Sequence, residues 1–404
     1  MNRSSPSDAL LEGLIDRRAF FHAVGGGLAV FALAASDENP VQAQPPGAGR
    51  RRGGGARDDG STRSIAAWIH VGEDGKITAS TGKAEVGQNI RTSLSQVVAE
   101  ELRVGVDAVT LVMADTQLTP YDGGTVGSRT TSDMAPRLRA AAAAARQVLL
   151  AEAAKRWNTE PAKLQITDGK IHRDRADAAA DVLTFGQLTQ GRKLTEVIDD
   201  RAPLTPPKDW RVAGTSVLKV DGRAFVTGAH RYTSDLALPG MVRGKVLRSP
   251  TLGGTLKELD ASGLDSMKDV QLVRDGGFVG VVAPREFLAD RALAALKAEW
   301  TPGPPISSRT LFDDLKARGR ETRARAEASD SRGLRRQGSI ADGMKQADVR
   351  LEQTYTIAYI AHAPLEPRAA VARWEDDGTL TVWTGTQRPF GVRSELAQAF
   401  NLPE

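Results

Sequence analysis

The feature that most constrains this chain is a pair of small, polar, glycine-rich segments, each running directly into a long helical pattern. The first is Gly82-Lys83-Ala84-Glu85-Val86-Gly87-Gln88-Asn89-Ile90-Arg91-Thr92-Ser93, and the second is Gly123-Gly124-Thr125-Val126-Gly127-Ser128-Arg129-Thr130-Thr131. A loop that feeds a helix N-terminus presents unpaired N–H groups and the positive end of the helix dipole, an arrangement suited to an anion. Gly87, Gln88, Asn89, Gly124, Thr125, Gly127, Ser128, Arg129 and Thr130 are therefore candidates to hold the phosphates of a large cofactor. Two ordinary glycine turns capped by Thr and Ser account for the same composition, so the loops alone do not decide the matter.

The flanking patterns set the fold class. Residues 67–71 and 76–80, around Gly72-Glu73-Asp74-Gly75, predict a β-hairpin. After the first loop Leu94, Val97, Val98 and Leu102 fall at helical spacing, with Thr92 or Ser93 as the cap and the first-turn N–H groups left free. Residues 109–113 read as a strand and 134–156 as an alanine-rich helix with Pro136 in its first turn. A small appendage follows at 160–200, completing a first region at 65–201. The proline-rich stretch 202–207 predicts a boundary, beyond which 210–300 forms a smaller α/β unit with strands at 242–247, 270–273 and 278–283 and a helix over 285–300. Residues 301–345 read as a charged linker. Strands at 351–355 and 380–384 open a further region, 346–404, that ends in a helical pattern. The whole is an α+β chain.

At the N-terminus, Asp16-Arg17-Arg18-Ala19-Phe20-Phe21-His22 precedes an apolar run, 20–35, that contains Gly25-Gly26-Gly27. The run is short and glycine-rich for a membrane span. It predicts a twin-arginine export signal over 1–44, with a small-residue cleavage site at Val41-Gln42-Ala43; the alternative is an anchor helix left in place. Loss of residues 1–43 removes three arginines and five acids and raises the net charge from +4 to +6. Residues 45–64, rich in Pro, Gly and Arg, predict a disordered leader. Export by this route delivers folded protein to the periplasm, which implies a cofactor loaded beforehand.

Cysteine is absent, which excludes disulfides, thiolate metal ligands, cysteine-held iron–sulfur clusters and a cysteine nucleophile in this chain. The arginine tract at 50–52 has no interleaved aromatics, so no nucleic-acid partner is predicted. No Gly-x-Ser-x-Gly elbow is present and no base is implied beside Ser128, which argues against a hydrolase. Two further constellations bear on chemistry. His362-Ala363-Pro364-Leu365-Glu366-Pro367-Arg368 presents an imidazole, a carboxylate and a guanidinium; its prolines predict extended conformations at Ala363 and Glu366, and a bracing Glu366–Arg368 ion pair is the plain reading. In Trp383-Thr384-Gly385-Thr386-Gln387-Arg388-Pro389-Phe390, Gln387 at a strand end is placed either to donate its amide to a bound oxo group or to complete a turn.

Several of these segments occur in a familiar order. Glu85-Val86-Gly87-Gln88, Ala99-Glu100-Glu101-Leu102, Asp115-Thr116, and Gly124-Thr125 with Gly127-Ser128-Arg129 come first; Arg248-Ser249-Pro250 and Gly280-Val281-Val282-Ala283 follow; His362-Ala363-Pro364 with Glu366-Pro367, and Thr384-Gly385-Thr386-Gln387 with Pro389, come last. In these motifs the chain resembles the molybdopterin-binding large subunits of the xanthine dehydrogenase and aldehyde oxidase family, most of all the isoquinoline 1-oxidoreductase beta-subunit type. The resemblance implies pieces of a molybdenum-cofactor-binding domain flanking a smaller α/β hammerhead domain. It implies a molybdopterin in its cytosine dinucleotide form, whose dithiolene holds molybdenum without a protein thiolate. Gln387 would lie near an oxo ligand, with Gln88 and the 124–131 loop along the pterin or its dinucleotide tail.

The implied chemistry is hydroxylation of an aromatic N-heterocycle or an aldehyde, with the oxygen taken from water. Electrons would leave through iron–sulfur clusters on a small partner subunit toward an acceptor such as a cytochrome. Many members have glycine where this chain has Asn89, which implies a tighter cradle here. Members also run well beyond this length, and their continuation holds a second glycine loop and the activating glutamate, so the resemblance implies an N-terminal portion with no turnover of its own. The competing class is a non-catalytic exported binding protein of the same fold.

Overall fold

The computed structural model describes residues 25–31, 68–173, 182–197, 202–305, 307–328 and 337–404. The paired arginines, the cleavage site and the 45–64 leader lie outside the described residues. The described chain is of α+β class and divides into two compact units, one formed by 1–234 with 368–404 and the other by 235–367.

The first unit is built on a five-stranded sheet. The expected hairpin is present as β2 (Ile69–Gly72) and β3 (Ile77–Thr81), antiparallel with Val71 opposite Ile77. Gly75, at φ 80°, supplies the left-handed residue that closes its turn. β4 (Val109–Met113) adds in parallel to β3. On the other side of β2 lies β1 (Gly27–Phe31), antiparallel to β2 and parallel to β8 (Lys193–Val197), so the sheet order is β4-β3-β2-β1-β8. The described part of the apolar run thus belongs to the fold and does not stand outside it: Leu28, Ala29, Val30 and Phe31 are at most 1% exposed. Nor do these residues form an anchor helix.

Two helices cover the sheet. In α1 (Ile90–Leu102) the buried Ile90, Leu94, Val98 and Leu102 recur every fourth residue and make one apolar stripe. α2 (Thr130–Trp157) starts four residues earlier than the apolar pattern indicates. Pro136 therefore sits inside the helix, where it withholds one i→i−4 bond. Ala141 to Ala145 are all buried, because α2 is enclosed on several sides and methyl groups allow close approach. The appendage comprises β5 (Leu164–Thr167), β6 (Lys170–Arg173), β7 (Val182–Thr184) and the capping-box helix α3 (Phe185–Thr189).

The proline-rich stretch 202–207 is not a boundary. Glu101, fully buried, accepts from Arg139 at 2.9 Å, from Arg146 at 2.6 Å and from the Thr205 hydroxyl at 2.9 Å. Its neighbour Glu100 accepts the N–H groups of Arg211, Val212 and Ala213 at 2.6–3.0 Å. Buried carboxylates must be satisfied this fully, so 202–215 is fastened to α1 and the first unit continues past 210. It goes on through the short helix α4 (Gly222–Val226). Its final piece holds the hairpin β14 (Ala370–Trp374) and β15 (Leu380–Thr384), followed by α8 (Pro389–Phe400).

The second unit contains an antiparallel sheet of β9 (Arg243–Val246), β12 (Phe278–Ala283) and β11 (Gln271–Asp275), and a pair of β10 (Thr255–Asp260) with β13 (Lys297–Thr301). α5 (Glu286–Ala295) packs Ala289 and Ala292 against Val279 and Val281. The helix expected over 285–300 thus ends at Ala295, and the next residues alternate in exposure as a strand. Within the expected charged linker lie two helices, α6 (Leu311–Ala328) and α7 (Ile340–Gln346). No strand forms at 351–355, and Ala363 takes φ 35° instead of the extended conformation that its proline neighbour favours.

Candidate cofactor site

The two glycine loops and the Gln387 turn belong to the first unit, and its fold brings them together. Lys83 and Asp122, each 8% exposed, pair at 2.9 Å. The Lys83 ammonium also donates to the Gly124 carbonyl at 2.7 Å, while the Gly124 N–H donates to Asp122 at 2.8 Å. The Ala84 N–H completes the clamp by donating to the Thr125 hydroxyl at 2.7 Å. A buried ion pair whose two members each also bond the Gly124 backbone fixes the register of one loop on the other.

Gln387 is held in the same place. Its side-chain amide donates to the Thr125 carbonyl at 2.7 Å, and the Thr125 N–H donates back to the Gln387 carbonyl at 2.8 Å. Gly124, at φ 131°, lies against Arg388; a Cβ there would stand 3.0 Å from the Arg388 Cγ and 3.2 Å from the Gln387 carbonyl. α8 then carries Phe390 edge-on to Tyr121 and lets Arg393 donate to the Thr116 carbonyl at 3.0 Å.

The two helix N-termini differ. At α1 Glu85 takes part of this donor set: its carboxylate accepts from Gly87 at 2.8 Å and the cap residue Asn89 at 3.1 Å in the loop, and from Arg91 at 3.0 Å in the first turn. The cap residue is Asn89 at φ 63°, not Thr92 or Ser93. That left-handed conformation is one asparagine tolerates better than other side chains do, and one glycine adopts freely. The Gln88 side chain is spent on its own loop, accepting from the Val86 N–H at 2.7 Å and donating to the Ala84 carbonyl at 3.0 Å. Glu85 fills the place of an anion there, so Gly87, Gln88 and Asn89 form a self-satisfied turn.

At α2 the N-terminus is open. The chain enters through Gly127 at φ 64° and Ser128 at φ 56°, both exposed. Arg129, the cap residue, makes no side-chain capping bond and pairs instead with Asp133 at 3.2 Å. The first N–H groups of the helix, at Thr130, Thr131 and Ser132, have no acceptor within it. The residues present therefore fit an anionic group at the 127–132 corner, whereas at α1 a carboxylate already stands beside the helix start.

The His362 segment, which as far as Pro367 belongs to the second unit, forms no ligand set of its own. His362 and Glu366 are exposed, and Arg368 donates to the Gly385 carbonyl at 3.0 Å in place of the expected pairing with Glu366. Among the described residues no group of three His, Asp or Glu side chains is arranged to hold a metal ion. Nor is any described helix long and apolar enough to cross a membrane. Sequence reasoning leaves Lys83, Glu85 and Asp122 without roles. Their signal is a charged residue lodged in or beside each glycine loop.

Comparison with known proteins identifies the family. Residues 46–231 and 325–404 each match a model described as a molybdopterin cofactor-binding domain. The chain is 36% identical over 346 residues to a nicotinate dehydrogenase subunit of Pseudomonas putida, covering 83% of this chain and 28% of that protein. It is 28% identical to a membrane-bound aldehyde dehydrogenase [pyrroloquinoline-quinone] of Gluconacetobacter polyoxogenes, covering 83% of this chain and 44% of that protein. It is also 28% identical to the beta subunit of isoquinoline 1-oxidoreductase of Brevundimonas diminuta, covering 81% of this chain and 48% of that protein. The chain thus spans less than half the length of each of these relatives.

Proposed function

Because the chain belongs to the molybdopterin-binding large subunits of the xanthine dehydrogenase and aldehyde oxidase family, we propose that it builds one wall of the cofactor site of a molybdenum hydroxylase. The observation that carries this reading is the open N-terminus of α2 beneath Gly127 and Ser128, locked to Gln387 through Thr125. The N–H groups of Thr130, Thr131 and Ser132 would bind the anionic part of a molybdopterin, in its cytosine dinucleotide form. Gly124, Gly127 and Ser128 would let the backbone approach closely, and Arg129 would lend a cation at the exposed rim. Gln387 would orient the edge of the site nearest the metal.

When bound, the cofactor supplies two-electron oxidation of an aromatic N-heterocycle or an aldehyde, with water as the oxygen source. This chain's part is to hold and orient. The Lys83–Asp122 clamp keeps the second loop rigid, and Glu85 keeps the first loop closed so that it does not compete for the anion. A small iron–sulfur subunit would receive the electrons and pass them to an acceptor such as a cytochrome. The α/β part of the second unit, within the expected 210–300, would correspond to the hammerhead domain. The paired arginines at 17–18 support export to the periplasm in folded form.

The test is metal and cofactor analysis of the full-length gene product purified with its partner subunits. One molybdenum per chain, a fluorescent oxidised pterin and released cytidine nucleotide are expected. Absence of molybdenum and pterin overturns the reading in favour of a non-catalytic binding protein, and recovery of a quinone cofactor reassigns the chemistry.

A further inference from the structure

We propose that residues 25–31 are a permanent part of the mature protein, so that any processing of the N-terminal leader falls before Gly25 and not at Val41-Gln42-Ala43. The apolar core of an export signal needs hydrophobicity and little else, and is discarded. Here it meets a position in the fold that it matches in shape as well as polarity.

Among the described strands, β1 alone links β2 to β8 in the sheet order. Its residues pair with Ile69, His70, Val71 and Gly72 on one side and with Lys193 through Val197 on the other. The ends are tied as well: the Gly27 N–H donates to the Arg192 carbonyl at 2.7 Å, and the Trp68 N–H donates to the Val30 carbonyl at 2.9 Å. Leu28 and Val30 stand in the main apolar core with Ile69, Val71 and Leu149. Removing the strand would leave two unpaired edges, detach β8 from the sheet and open the core beneath α2. Exposed strand edges of this kind are aggregation templates that folded proteins avoid.

The glycines carry the argument further. Gly27 sits at φ 132°, a conformation that side chains rarely adopt, and a Cβ there would lie 2.3 Å from the Val71 carbonyl oxygen. At Gly26 an added Cβ would lie 1.9 Å from the Glu73 carboxylate and 3.0 Å from the Arg192 carbonyl. Gly26 also offers its carbonyl to the His70 ring at 3.2 Å. Backbone thus approaches backbone at Gly27 so closely that only glycine fits, a demand made by the finished fold and not by an export channel.

The inference is tested on the native protein, purified from whichever cell fraction contains it. Mass spectrometry of a tryptic digest should recover the peptide running from Ala19 to Arg50, or a processed form of it that still contains Gly25 to Phe31. A folded mature chain beginning at Gln44 or later overturns the proposal, and shows that another strand fills the place between β2 and β8. Melting of the Gly27→Val variant gives a second reading: the proposal expects a marked fall in Tm, and an unchanged Tm overturns it. Cell fractionation of the same preparation answers the export question separately, so that failure of one reading does not conceal failure of the other.

Discussion

The Gln387 side-chain amide donates to the Thr125 carbonyl at 2.7 Å, and the Thr125 N–H donates back to the Gln387 carbonyl at 2.8 Å, across 262 residues of chain. This reciprocal pair makes the second glycine loop and the turn before α8 a single rigid corner. Gln387→Ala removes one bond of the two, a loss of about 1 kcal/mol. Cofactor content and turnover of the complete enzyme should fall together, as measured by molybdenum per chain against rate. A loss of turnover with full cofactor content and unchanged melting would instead place the amide at the metal.

Glu85 folds its carboxylate back onto three N–H groups, those of Gly87 and Asn89 in the loop and of Arg91 in the first turn of α1. Glu85→Ala should cost about 0.5–2 kcal/mol, the range for a lost side-chain acceptor at a helix N-terminus. In a unit of this size that lowers Tm by roughly 2–4 °C per kcal/mol. The same variant should gain more stability from added phosphate than the parent does, because its α1 N-terminus is vacated. Equal responses in a phosphate titration of Tm would show that Glu85 is not standing in for an anion.

Glu101 links α1 to α2 and to the 202–207 stretch through Arg139, Arg146 and Thr205. Glu101→Leu leaves two guanidinium groups with no carboxylate between them, and should cost about 3–5 kcal/mol. Thr205→Val removes only a neutral donor and should cost about 1 kcal/mol. Chemical denaturation of the two variants checks the ranking, and the reverse order would mean that the hydroxyl, not the charge, holds this region down.

Burial pushes the His70 imidazole pKa below its ordinary value, while the Gly26 carbonyl and the Asp74 carboxylate pull it partly back. The folded protein therefore binds this proton less readily than the unfolded chain, whose histidine titrates near about 6.5. Stability from this group is complete above that pH and declines as pH falls through it toward the lowered folded value. Melting temperatures across pH 5 to 8 (an interval of about three units around that value) should show the decline, and His70→Gln should remove it. A His70 whose resonances titrate normally would mean that β1 does not cover it.

Much of the local structure is legible in the sequence. The hairpin of β2 and β3, the strands β4 and β12 and the stripe on α1 follow from apolar periods of two or about four and from Gly75, features that short-range sterics and solvent exclusion enforce. The start of α2 escapes such a reading because Thr131 to Asp133 are polar and exposed or half-exposed, so helical backbone there leaves no apolar mark. The end of α5 escapes it because 297–301 alternates in exposure only once it pairs with β10. The proline run at 202–207 has the composition of a linker, and only the buried carboxylate of Glu101 shows why it is docked.

By itself the sequence determined that no thiolate could hold a metal here, that two glycine loops would each enter a helix, and that the motifs follow the order of a molybdopterin-binding subunit. Composition and local period are properties of neighbouring residues, and they survive in any fold the chain adopts. Which of the two helix starts stays open was decided only by tertiary structure. Glu85 stands at the start of α1 because its loop curls back on itself, whereas no side chain caps α2, whose entry loop is held by Lys83, Asp122 and Gln387 across as many as 41 and 262 residues. Those contacts depend on positions in space that no local pattern encodes.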